Sequence, residues 1–156
     1  MLEIPVAQTV DRQCKHGGLA LTCTLDYAAR FLRRKRLLTD CGLAFLVDLP
    51  QTTSLDGGDA LVLSDGRHVA ILAANEDLLE VCGNLPRLAW HIGNRHTPCQ
   101  VESDRLLIQH DPVIAHMLEH LGATVRPTRA AFTPEGGAYG HGRTHAHEHG
   151  HTAHAH

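Results

Sequence analysis

Residues 111–122, DPVIAHMLEHLG, carry their own start and stop signals. Asp111 is an N-cap residue, Pro112 suits the first helical position, and Gly122 suits the stop. Between them Val113, Ile114, Met117, Leu118 and Leu121 recur at helical spacing. One other stretch, LPRLAWHIGNRH at 85–96, has this period, with apolar residues at 85, 88, 89 and 92. Strand-length runs flank both: EDLLEVC at 76–82, then CQVES and RLLIQ around a turn at Ser103–Asp104, then ATVRPTRAAF. The order β-α-β-β-α-β is the ferredoxin-like arrangement, which is the expectation for residues 74–133.

Residues 1–73 show strand patterns only. LALTCTL mixes small, polar and apolar residues, and RLLTDCGLAFLVDLP implies two short strands, broken at Asp40–Gly42 and stopped by Pro50. ALVLSDGRHVAIL implies a hairpin with a type I′ turn at Asp65–Gly66. These spacings suggest a small all-β sandwich or barrel, so the fold class is α+β. Aromatics make up only 4% of the chain, so both cores must rest on Leu, Val, Ile and Ala.

After Phe132 the chain changes character. TPEGGAYGHGR is a Gly-rich linker, and residues 134–156 lack any apolar period, so disorder without metal is expected there. The tail carries His141, His145, His147, His149, His151, His154 and His156. An appended tag is usually an unbroken His run; here Ala, Glu, Gly and Thr intervene, which favours a native segment. Such a tail cannot fix one imidazole for proton work, but several can wrap a metal ion.

With 14 Lys and Arg against 17 Asp and Glu, the net charge of −3 argues against nucleic acid. The longest apolar run, GLAFLV, is far short of the ~20 residues that cross a bilayer, and MLEIPVAQTVDRQ has no secretory pattern. Five cysteines, Cys14, Cys23, Cys41, Cys82 and Cys99, with no CxxC, argue against a zinc ribbon or a disulfide framework. Reduced, mostly buried thiols in a cytoplasmic protein are expected.

Several motifs compete for attention. HMLEH (His116, Glu119, His120) matches the inverted zinc-protease pattern, but such an enzyme needs a third protein ligand and a substrate groove, and here the helix stops soon after the motif and the chain runs into the linker. A solvated helix face is the favoured reading, with His116 and His120 at i,i+4 spacing able to bind metal weakly. The basic cluster 30–36, RFLRRKR, stands alone and reads as a solvated loop or edge strand. Cys99 reads as a packed thiol. In HIGNRH, His91 and His96 are five apart and do not share a regular helix face.

LAWHIGNRHTPCQVES, QHDPVIAHMLEHLGATV, AFTPEGGAYG and the His-rich end together resemble the UreE family of urease accessory proteins, which are nickel metallochaperones. The match covers roughly residues 70–156; the first half is compatible with the family's N-terminal β domain. The resemblance implies a homodimer through the ferredoxin-like domain that binds Ni²⁺ and delivers it to urease with the accessory GTPase and the urease apoprotein complex. It implies that His96 is the central ligand, given by both protomers, and that the N-terminal domain is a peptide-binding chaperone module. No catalysis is implied, and neither nucleic acid nor a membrane is expected as a partner. His110 matches the first histidine of a pair that some members carry; the second position is Pro112. Cys99 stands where the family usually has an apolar residue. Zn²⁺ or Cu²⁺ suits the same imidazoles. A His-rich nickel or zinc buffer is the alternative function, and a peptide-binding co-chaperone with an incidental metal site is a third.

Overall fold

The computed structural model describes residues 3–12, 21–136 and 143. The chain divides at Ala74/Asn75 into two compact units.

The first unit is built from β1 (Val6–Asp11), β2 (Leu21–Leu25), β3 (Phe31–Leu38), β4 (Ala44–Ser54), β5 (Ala60–Leu63) and β6 (His68–Ala73). They form one mixed sheet in the order β2-β6-β5-β1-β4-β3. Alternate residues of β4, Phe45, Val47 and Leu49, are buried with Ala7, Leu61, Val69 and Ile71, as the two-residue period of a strand requires. The two ends of the sheet meet. The Asp40 N–H donates to the Thr22 carbonyl at 2.8 Å, and the Asp40 carboxylate accepts from the Thr22 and Thr24 hydroxyls at 2.7 and 2.8 Å. Those hydrogen bonds hold the Asp40 carboxyl below its ordinary range. A curled sheet thus replaces the two-sheet sandwich among the expected alternatives.

One strand was not expected, and several local expectations need correction. Strand β1 carries no period that marks it, because only Ala7 of its six residues is fully buried; it is nonetheless an inner strand, parallel to β4 and antiparallel to β5. Pro50 does not stop its strand. The β3–β4 pairing shifts register between Leu32 and Arg34, so Pro50 falls where no ladder N–H is needed. The 60–72 hairpin does not turn through type I′. Among the described residues only His96 has positive φ without being glycine, so Asp65 is excluded from that turn, and Gly66 alone is left-handed at φ 89°. The Gly66 N–H closes on the Leu63 carbonyl at 2.9 Å, the three-residue hairpin geometry. Finally, thiol burial is mixed: Cys23 is buried, Cys82 and Cys99 are half-buried, and Cys41 is exposed. Burial pushes the Cys23 thiol up to about 11, with Asp40 adding to it. Cys14 lies outside the described residues.

The basic run splits. Arg33 to Arg36 are exposed on β3, which ends the sheet, while Arg30 is buried and donates to the carbonyls of Leu55 (3.0 Å) and Leu25 (3.1 Å). Asp59 is also buried; its Oδ2 accepts from Arg12 Nη1 at 2.7 Å and from the Asp56 N–H at 2.8 Å.

The second unit follows the order β7 (Asn75–Cys82), α1 (Leu85–Asn94), β8 (Gln100–Val101), β9 (Leu106–Gln109), α2 (Pro112–His120) and β10 (Thr124–Ala131). Its sheet runs β10-β7-β9-β8 with every neighbour antiparallel. Leu79 and Val81 of β7 and Leu106 and Ile108 of β9 share a core with Leu88 and Ile92 of α1 and Ile114 and Leu118 of α2. Val113, expected in that stripe, is 66% exposed. It precedes Ile114 by about 100° around the helix, which places it on the outer edge of the first turn. The histidine tail from His141 on, and its expected disorder, lie outside the described residues apart from Arg143.

The first testable consequence concerns Asp59. Asp59→Ala leaves Arg12 without its buried partner and the Asp56 N–H without its acceptor. A loss of about 3 kcal/mol is expected, read as an earlier urea transition in far-ultraviolet circular dichroism.

Candidate metal centre

Helix α1 begins at Asn84, whose side chain accepts from the Arg87 N–H at 3.3 Å, with Pro86 in the first turn. Leu88 and Ile92 anchor its inner face. The helix ends before His96, which therefore is not a helical residue. The His96 N–H donates to the Gly93 carbonyl at 2.9 Å and the Thr97 N–H to the Ile92 carbonyl at 3.3 Å. This is the Schellman pattern, with His96 at the position where glycine is usual. His96 has φ 57°, and Pro98, two residues on, prevents resumption of the helix.

Helix α2 ends in the same way with the usual residue. The Gly122 N–H donates to the Glu119 carbonyl and the Ala123 N–H to the Leu118 carbonyl, both at 3.0 Å, and Gly122 has φ 91°. Two equivalent turns thus differ in one respect. A β-carbon in the left-handed region costs about 1–2 kcal/mol, and α1 bears that cost at His96. His96 is exposed at the end of α1. Backbone strain of this kind concentrates at working sites.

The chain after His96 is tied to the segment leading into the tail. The Glu135 N–H donates to the Cys99 carbonyl at 2.9 Å, and the Thr133 N–H donates to Gln100 Oε1 at 2.8 Å. Gln100 is itself oriented by donating Nε2 to Glu102 at 2.7 Å, and Arg105 joins Glu102 (2.8 Å) to Glu80 (2.9 Å). Residues 133–135 are therefore held beside a strand entrance that lies three to four residues past His96. His141 follows Glu135 by six residues, a reach of up to about 20 Å when extended.

His110 lies just past β9, exposed, with its N–H on the Asp77 carbonyl at 3.3 Å. Asp111 and Pro112 then open α2. Cys99 packs against the second core, and its thiol is pushed up to about 11 by burial, with Glu135 adding to it. It is thus a protonated, packed side chain at neutral pH. His91 is half-buried and meets Trp90 edge to face at 5.0 Å. His116, Glu119 and His120 are exposed on α2. Among the described residues, no three His, Cys, Asp or Glu side chains converge on one point. His141, His145, His147, His149, His151, His154 and His156 lie outside the described residues. The pattern that sequence reasoning missed is the turn: G-N-R-H-T-P after an apolar period has a helix stop's Pro without its Gly.

Comparison with known proteins covers both units. Residues 9–74 match the N-terminal domain of the UreE urease accessory protein family, and residues 73–156 match its C-terminal domain. The chain is 58% identical over 149 residues to the urease accessory protein UreE of Ruegeria pomeroyi, covering 95% of this chain and 100% of the relative. It is 55% identical over 151 residues to that of Cereibacter sphaeroides, covering 96% and 83%. It is 53% identical over 141 residues to that of Paracoccus denitrificans, covering 90% of each.

The turn makes a stability prediction that needs no metal. His96→Gly is expected to be more stable than His96→Ala by about 1 kcal/mol, because only glycine enters the left-handed region without a β-carbon penalty. Paired urea titrations in metal-free buffer measure it.

Proposed function

The chain belongs to the UreE family of urease accessory proteins, and from that premise we propose that it carries Ni²⁺ to urease while the enzyme's metal centre is assembled. The observation that carries the proposal is His96, an exposed imidazole held at φ 57° in a turn that elsewhere in the same chain uses glycine. Imidazole suits Ni²⁺, and also Zn²⁺ and Cu²⁺.

In this reading the second unit has the ferredoxin-like arrangement and forms an isologous homodimer. Trp90, Val101 and Val113 are exposed apolar side chains of that unit, the kind an interface covers. The two-fold axis brings His96 together with its mate. Two imidazoles leave the ion's other positions to water, to tail histidines or to an incoming acceptor. An ion bound this openly can leave by ligand exchange, unlike one in a closed four-ligand cage. The tethered segment at Thr133–Glu135 keeps His141, His145, His147, His149, His151, His154 and His156 within reach, raising their effective concentration at the axis. His110 supplies a further surface imidazole, although Pro112 prevents the paired arrangement. The partners are the urease accessory GTPase and the urease apoprotein complex, and the first unit docks an extended peptide of that machinery. The protein's role is delivery and not catalysis, and its place is the cytoplasm. Among the described residues no helix is long and apolar enough to cross a membrane.

The seven histidines of residues 141–156 favour one second reading, a nickel or zinc buffer. One experiment separates the two. His96→Gly keeps the turn and all seven tail histidines. Urease activation in cells is expected to fall at least tenfold, while Ni²⁺ bound per purified dimer falls by less than half. A chain ending at Gly140 should show the reverse bias, with metal capacity reduced most. Undiminished activation by His96→Gly would sink the carrier reading centred on that residue, and unchanged urease activity per enzyme in cells lacking the whole protein would favour the buffer.

A further inference from the structure

Helix α2 holds a second pair of imidazoles away from the turn that carries His96. His116 and His120 are four residues apart within Pro112–His120, and both are exposed. In a regular helix that spacing sets two side chains on one face, one turn apart. It is the spacing by which a helix offers two nitrogen ligands to one metal ion. Neither side chain is engaged in a hydrogen bond or ion pair among the described residues, so nothing there competes with a ligand for the ring nitrogens.

The helix that carries the pair is well fixed. Asp111 accepts from the N–H groups of Val113 (2.9 Å) and Ile114 (3.2 Å) at its start. Ile114 and Leu118 pin its inner face in the core, and the Gly122 turn closes its end. The imidazoles therefore start from a rigid backbone, and binding has only side-chain rotamers to order. His120 stands in the last turn, where the helix dipole favours positive charge. Arg87 Nη1 already donates to the Leu121 carbonyl at 3.3 Å, so that end carbonyl is engaged. Glu119 is exposed on the same turn, but no three donors converge among the described residues.

We propose that His116 and His120 form a two-imidazole chelate for a divalent transition-metal ion on the outer face of α2, a site that uses neither His96, His110 nor the tail. With two protein ligands the ion keeps its remaining positions in water, so the site is weak and exchanges quickly. It takes Ni²⁺, Cu²⁺ or Zn²⁺ by the same ring nitrogens.

Total metal binding would not read this site, because the tail histidines dominate it. Hydrogen exchange of the α2 backbone in the full-length protein does. An ion that bridges His116 and His120 binds only when the last turn is formed, and so suppresses fraying there. At a free Ni²⁺ concentration ten times the site's dissociation constant, amides in the C-terminal half of α2 should exchange about tenfold more slowly. His116→Ala and His120→Ala should each abolish the slowing, and Ala keeps the helix; unchanged metal-free exchange in α1 verifies the fold of each variant. The His96→Gly chain should retain the slowing. No Ni²⁺ effect on α2 in the unmodified chain, slowing that persists in either Ala variant, or slowing that vanishes in His96→Gly would each overturn the proposal. The result is independent of whether the protein delivers nickel to urease, since no urease component is present.

Discussion

Two backbone hydrogen bonds place the candidate ligand. The Thr97 N–H on the Ile92 carbonyl and the His96 N–H on the Gly93 carbonyl end α1 and turn the chain outward. Each is worth about 1 kcal/mol net, which offsets the left-handed backbone of His96. The buried Ile92 side chain anchors the last helical turn that supplies these carbonyls. The Gly122 turn of α2 is the internal comparison: the same bonds, made with the residue that local energetics prefer. A histidine in that position is an exception to propensity, and such exceptions are expected where function and local stability compete.

The segment beyond β10 depends on that turn at one remove. Pro98 and Cys99 follow it, Cys99 packs into the second core, and its carbonyl receives the Glu135 N–H. Gln100 repeats the tie from its side chain to Thr133. The Cys99 carbonyl and the Gln100 side-chain amide therefore position this segment, while the neighbouring imidazole stays exposed.

In the first unit the corresponding constraints are an ion pair with one buried partner and a tie between the two end strands. Arg12 and Asp59 meet at 2.7 Å with Asp59 fully enclosed. Asp40 joins strands that are far apart in the order of the sheet. The four exposed cationic residues of β3 lie along an edge, where charge discourages unwanted pairing.

The elements of the second unit were legible without coordinates because local signals agreed. Asp111, Pro112 and Gly122 bracket α2, and apolar residues at 85, 88, 89 and 92 mark α1. Motifs such as GNRH carried the family. Strand β1 was not legible, since Ala7 gives no apolar period and its place comes from neighbours distant in sequence. Pro50 misled because a register shift across the sheet, invisible along the chain, removes the need for its missing N–H. Asp65–Gly66 fits two hairpin turns equally, and only the pairing of β5 with β6 selects one. His96 shows the same limit at the candidate centre. Its identity, its neighbours and the Pro98 stop stand in the sequence, but its left-handed backbone shows only in the closed turn, because glycine, the residue that marks such a turn, is missing from the position.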